Sequence, residues 1–107
     1  MRKKQNILSF YLLKGNVEIL KFLDNNSPMQ FKDIRDITNP KTSKKFSSRT
    51  VSLRLKELEN SGDIKNEIVI NSKRKSIGYA ITEKGRQSLE IIRETEKKFE
   101  KLKKKTL

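Results

Sequence analysis

Three groups of side chains are typed and spaced for chemistry on a polyanion. Lys73, Arg74 and Lys75 are consecutive, Lys41, Lys44 and Lys45 crowd a second polar stretch, and Arg49 and Lys56 share a segment with Ser48, Thr50, Ser52 and Leu53. Ammonium and guanidinium groups neutralise phosphates and release condensed counterions. If residues 48–61 form a helix with Val51, Leu55 and Leu58 turned inward, then Arg49, Ser52, Leu53 and Lys56 lie on or beside the opposite face. Near the helix start, Arg49 can fork to guanine O6 and N7, Thr50 and Ser52 can reach bases or phosphates, and free helix N–H groups add anion affinity. Leu53 fits either a thymine methyl contact or packing beneath the 41–46 loop. Lys44 and Lys45 suit backbone phosphates or a solvated loop, and the 73–75 run suits phosphates, a minor groove or protection of a hairpin edge.

Other chemistries lack their residues. The 107-residue chain has no His and no Cys, which excludes imidazole and thiolate catalysis, thiol switches and zinc fingers. The carboxylates Asp33, Asp36, Glu57 and Glu59 are scattered over polar positions with no glycine-rich phosphate loop and no metal-ligand spacing, so neither an enzyme, a cofactor nor a metal is expected. Lys and Arg number 26 against 13 Asp and Glu, a net charge of +13 that makes nucleic acid the first partner to consider. Apolar runs are too short to cross a bilayer, and Lys14 and Glu18 interrupt the stretch after the Met-Arg-Lys-Lys opening, so a cytoplasmic location without membrane attachment is expected.

The elements that position these residues can be read from periodicity. Ile7, Leu8, Tyr11 and Leu12 predict an N-terminal helix over 5–14, and Gly15 punctuates it. A second helix follows from Asn16 and stops at the Asp24–Pro28 breakers, after which Met29 to Phe31 has room for a short strand or extended entry. Phe31, Ile34 and Ile37 predict about two helical turns ended by Asn39-Pro40. Ser47 or Ser48 caps the 48–61 helix and Gly62 terminates it. Ile64–Ile70 and Ile77–Thr82 predict a hairpin with a basic 71–76 turn, one face carrying Tyr79 and Ile81 as packing residues and the other Gly78 and Ala80. Thr82 caps a last helix to about residue 104, whose Leu89, Ile92, Phe99 and Leu102 form a stripe that either props the body or seals a dimer; the lack of remaining sequence to cover it favours the dimer, with Phe10 and Tyr11 joining the interface.

This order predicts a mainly α fold with a small β-hairpin (α+β), a winged helix-turn-helix with an extra C-terminal helix. It places one domain over 1–107: the 5–14 helix, a 16–82 core with recognition helix 48–61 and wing 64–82, and a dimerisation helix over 83–104. Phe31-Lys-Asp-Ile34, Ser48 to Leu58, Gly62, Tyr79-Ala-Ile-Thr-Glu-Lys-Gly85 and the Leu13–Leu23 stretch resemble winged-helix transcriptional regulators, most closely the HxlR type, with PadR, MarR and ArsR groups sharing much of the pattern. The resemblance spans about residues 13–90 and implies a dimeric regulator of double-stranded DNA. An architectural DNA protein, an RNA binder and a protein-interaction scaffold remain alternatives, and the residues are silent on any small-molecule effector.

Overall fold

Gly15 sets the first corner. The computed structural model describes residues 7–71 and 73–105, and in it Gly15 adopts the left-handed conformation (φ 99°) that joins helix α1 (Ile7–Leu12) to α2 (Asn16–Asn26). Asn16 Nδ2 donates to the Phe10 carbonyl at 2.7 Å, which fixes the two helices at an angle. Residues 5 and 6 of the predicted first helix lie outside the described residues. On α2 the inward face is Ile19, Leu20 and Leu23, all fully buried. Each such side chain contributes about 2 kcal/mol through removal of its surface from water.

Helix α3 (Phe31–Ile34) is a single turn rather than the two turns predicted. Ile37 falls beyond it because the chain must turn back: Thr38 bridges Lys45, Asn39 N donates to the Lys44 carbonyl at 2.8 Å, and Phe46 N reaches the Ile37 carbonyl. This closed turn carries Phe46 into the core. Helix α4 (Ser48–Ser61) then starts on Ser47, whose Oγ accepts from Thr50 N at 3.1 Å, and buries Val51, Leu55 and Leu58. Its end is a double closure around Gly62 (φ 86°), with Gly62 N donating to Glu59 O and Asp63 N to Leu58 O.

Strands β1 (Ile64–Asn71) and β2 (Arg74–Ile81) form an antiparallel hairpin in the register Ile64↔Ile81 to Asn71↔Arg74. The ladder runs closer to the tip than predicted, because Ser76, Lys75 and Arg74 of the stretch read as turn pair with Val69, Ile70 and Asn71. The base is covered on both faces, although only the Tyr79–Ile81 face was expected to pack. Met29 pairs with Tyr79 by two backbone hydrogen bonds of 2.7 and 2.9 Å, and Gly78 and Ala80 are buried along with Ile81. Gly78 has no room for a side chain, since a Cβ would meet Val69 at 2.5 Å.

Thr82 caps α5 (Glu83–Lys105), accepting from Gly85 N at 3.1 Å and donating to the Gly62 carbonyl at 2.6 Å. Gly85 lies so near the backbone that a Cβ would stand 2.1 Å from the Asp63 carbonyl oxygen. That approach sinks Leu89 into the core. Leu89, expected in a dimer seam, is 1% exposed and therefore an internal residue; the first turns of α5 prop the body, and the stripe becomes exposed only further along. Lys21 to Glu96 (3.1 Å) and Arg93 to Asp24 (3.2 Å) strap the middle of α5 to α2.

Asp63 joins these parts. Its carboxylate is wholly buried and accepts from Tyr11 Oη of α1 at 3.0 and 3.1 Å, Ser61 Oγ at 2.5 Å, Ser88 Oγ at 3.2 Å and Lys84 Nζ at 3.2 Å. Burial acts to lower the Lys84 pKa, but the hydrogen bond and charge of Asp63 outweigh it and hold the ammonium above its ordinary 10.5. Because the raised value belongs to the folded state, this contribution to stability is complete below about pH 10.5 and lost as pH rises past the folded value. Lys84→Met should therefore show a smaller fall in urea midpoint than the parent between about pH 9 and about pH 12. Asp63→Ala, which removes the acceptor that three hydroxyls and an ammonium share, should cost about 3 kcal/mol or more in urea denaturation, and Asp63→Asn less.

Candidate nucleic-acid interface

The outer face of α4 presents its polar residues as one surface. Arg49, Ser52, Leu53 and Lys56 follow one another at helical spacing and together line a shallow open depression. Ser48, Arg49, Ser52 and Lys56 are exposed, and Arg49 and Lys56 have no ion-pair partner among the described residues. Leu53 is 49% exposed and lies in this depression rather than beneath the 41–46 loop, whose own Phe46 fills the core. Thr50 differs from its neighbours: it is half-buried and its hydroxyl lies 2.9 Å from Ser47 Oγ, so it serves the helix cap.

Arg54, on the same helix, does different work. Its Nε donates to the Lys14 carbonyl at 2.8 Å and its guanidinium pairs with Glu57, which ties α4 to the α1–α2 corner. Sequence reasoning did not find this contact; the signal was Gly15, whose missing side chain leaves the space that the Arg54 stem and Phe46 approach. Gln30 was missed as well, and its amide bonds Ser76 Oγ, joining the entry to α3 to the distal part of β2.

Lys44 and Lys45 are exposed on the closed turn that precedes α4. Lys45 pairs with Asp36 at 3.2 Å, but both side chains are more than half exposed, so the pair is weak and open to competition by phosphate. At the wing, Lys73 lies in the turn while Arg74 and Lys75 are strand residues whose side chains alternate between faces. The three cations thus surround the tip instead of forming one patch. None has an ion-pair partner among the described residues.

A second surface is apolar. Leu8, Leu12, Ile91 and Phe99 are 62%, 72%, 64% and 66% exposed and line, with half-buried Phe10 and Ile92, a long groove of about 1230 Å³ between α1 and α5. Tyr11 and Lys84 form part of its floor. Of the residues expected in a dimer seam, Phe10, Tyr11, Ile92 and Phe99 border this groove, Leu102 lies exposed one helical turn further on, and Leu89 faces the core. Phe10 and Tyr11 also pack edge to face at 5.1 Å against the core, so they divide between the two roles.

A short helix, a closed turn, a capped second helix with an exposed cationic face and a flanking hairpin make up a winged helix-turn-helix. Residues 14–106 match the profile of the HxlR-like helix-turn-helix proteins. The chain belongs to that family. Among solved structures it is similar to the diamide-treated transcriptional regulator YodB from Bacillus subtilis (25% identity, TM-score 0.65, covering 82% of this chain and 80% of that one). It is also similar to a PadR family regulator from Clostridium difficile R20291 (21%, TM-score 0.69, 82% and 92%) and to a transcriptional regulator from Clostridium thermocellum (21%, TM-score 0.66, 94% and 97%). No curated protein sequence matches it. As an HxlR-like protein it is a DNA-binding transcription regulator of the helix-turn-helix type. Among the described residues no helix is long and apolar enough to cross a membrane, and no group of carboxylates is placed to hold a metal ion.

The cap predicts a separable effect. Ser47→Ala should cost about 1 kcal/mol of stability and fray the start of α4, read as a lower urea midpoint, whereas Ser48→Ala, with no such bond, should leave stability within about 0.5 kcal/mol.

Proposed function

We propose that this HxlR-like regulator binds a pseudo-palindromic duplex as a homodimer, with α4 in the major groove and the wing on the flanking backbone or minor groove. The observation that carries this reading is the continuous unpaired face of Arg49, Ser52, Leu53 and Lys56 on a helix whose opposite face is wholly committed to the core. Arg49 is its base reader, forking to guanine, and Leu53 offers a methyl contact to thymine. Lys44, Lys45, Lys73, Arg74 and Lys75 act on phosphates and set register more than sequence. The groove between α1 and α5 supports dimerisation, because so large an apolar surface on a small protein is costly to leave in water, and an isologous C2 pairing buries it twice. Such a dimer sets its two recognition helices about 34 Å apart, one turn of DNA. With no cysteine in the 107 residues, the protein has no thiol through which to sense oxidation.

Selection from a random duplex pool at near-physiological salt tests the reading: an inverted repeat with half-site centres about ten base pairs apart is the expected result. Retention without enrichment would replace it with an architectural binder. Arg49→Ala should cost about 1–3 kcal/mol and relax preference at one base pair, while replacing Lys73, Arg74 and Lys75 together should weaken binding to all duplexes and flatten the salt slope. Ile92→Ala with Phe99→Ala should sediment as a folded monomer; a dimer would remove α5 from the interface.

A further inference from the structure

The hairpin leaves one of its long edges open. Tyr79 exchanges both of its backbone hydrogen bonds with Met29, so its N–H and C=O point away from β1 and Asn66↔Tyr79 is a non-hydrogen-bonded pair of the ladder. The two kinds of pair alternate along antiparallel strands. Ile68↔Ile77 and Ile70↔Lys75 are therefore non-hydrogen-bonded as well, while Glu67↔Gly78 and Val69↔Ser76 carry the bonds between the strands. It follows that Asn66, Ile68 and Ile70 turn their N–H and C=O groups outward from β1, where no backbone group among the described residues meets them. Met29 covers the far edge of β2, and among the described residues no strand or bridge does the same for β1.

Open edges are ordinarily blunted by a charge, a proline or a bulge. Lys65 and Glu67 supply charge near the base, but Ile68-Val69-Ile70 has none of these devices, and Ile68 and Ile70 are 66% and 68% exposed. The three residues read the same in both directions, so an antiparallel copy matches them side chain for side chain. Only outward-facing residues can exchange hydrogen bonds across the new edge, which leaves few registers. Centring on Asn66 sets Ile70 opposite Gly62, outside the strand; centring on Glu67 sets two carboxylates against each other; centring on Ile68 sets Asn66 against Ile70. Centring on Val69 pairs Ile68 with Ile70 twice, by backbone bonds and by side-chain contact, and stands Val69 opposite its counterpart. The two basic turns then lie at opposite ends of the shared sheet, more than about 20 Å apart and beyond the screening length at physiological salt.

We propose that the open edge of β1 docks the same edge of a second copy, antiparallel and centred on Val69, making one four-stranded sheet from two hairpins. The contact is small, so it is weak in free solution. It gains force where a duplex holds two dimers side by side and raises the local concentration of one hairpin at the other. The consequence is cooperative occupation of adjacent sites. In that use the inference rests on the DNA-binding reading above, whereas the strand pairing itself does not.

The chain has no cysteine, so a single introduced thiol reports on the pairing without interference. In the proposed register the two Val69 Cα atoms stand about 4.5 Å apart, within disulfide reach, and the two Lys65 Cα atoms more than about 20 Å apart. Oxidised at high protein concentration, Val69→Cys should form a covalent pair about tenfold faster than Lys65→Cys, although Lys65 is the more exposed. Adding Ile68→Pro should abolish that advantage, since its N–H faces outward and proline there removes the intermolecular donor while sparing the hairpin ladder. Ile68→Lys, which keeps the strand free of proline, should act alike, and Ile77→Lys, on β2 away from the edge, should not. On a duplex with two adjacent selected sites the parent should fill the second about tenfold more readily than the first, and Ile68→Pro should fill them independently with unchanged single-site affinity. Equal cross-linking of Val69→Cys and Lys65→Cys, or an advantage untouched by both Ile68 variants, would overturn the strand pairing. Cross-linking without cooperativity would overturn its use on DNA, and absence of any site selection would remove the DNA-binding reading while the cross-link stands.

Discussion

Asp63 carries the geometry of this molecule. A carboxylate denied water must be met by donors, and here four side chains from three separate helices supply them: Tyr11 from α1, Ser61 from α4, and Lys84 and Ser88 from α5. Its backbone is used as fully as its side chain. The Asp63 N–H closes the end of α4 and its carbonyl accepts from Thr82 N at 2.9 Å, where α5 begins. One residue thus fixes the end of α4, the start of the hairpin and the start of α5 relative to one another. The close approach of Gly85 follows from it, since the backbone there comes so near Asp63 that no Cβ fits.

From that junction the wing divides into two mechanical regimes. Its base is held on every side, by Met29 pairing with Tyr79, by Ser27 Oγ accepting from Ile81 N at 3.1 Å, and by core packing of Ile64 and Ile81. Its outer half has little beyond the ladder itself and the Gln30–Ser76 hydrogen bond. A two-stranded ribbon is marginal by itself, so the β-branched pair Ile68↔Ile77 and the long register are what keep the distal part extended. The cations at the tip are therefore presented on a stiff base by an arm with freedom to adjust.

Much of this was legible in the residues. Apolar periodicity gave α2 and α4, Gly62 marked the end of α4, Thr82 marked the start of α5, and the alternation of β-branched residues gave the hairpin. Those signals are local. What escaped depended on residues far apart in sequence: Asp63 with Tyr11 is separated by 52 positions and Arg54 with Lys14 by 40. The length of α3 was overread for a similar reason, since Ile37 has helical spacing from Ile34 but is claimed by the turn that returns to Phe46. Leu89 shows the limit of a stripe argument. The same spacing serves a core contact in the first turns of α5 and an exposed edge beyond them, and only the approach at Gly85 decides where one becomes the other. Of the site, the outer face of α4 was readable because burial of Val51, Leu55 and Leu58 dictates it, whereas the use of Thr50 in the cap was not.

The partition of charge completes the picture. Lys21, Lys84, Arg86 and Arg93 pair with carboxylates of other elements, and these pairs orient α5 more than they stabilise it, because most are substantially exposed. Arg49 and Lys56 on α4's outer face and Lys73, Arg74 and Lys75 at the wing tip pair with nothing among the described residues, and no packing requirement explains them. Uncompensated like charges repel and lower the stability of a compact state, a cost that solubility alone does not require of a protein already rich in both signs. In the proposed complex a line of phosphates across both elements would offset it. Binding and folding would then favour the same arrangement, with the buried carboxylate of Asp63 holding α4 and the hairpin in place and the phosphates relieving the repulsion between them.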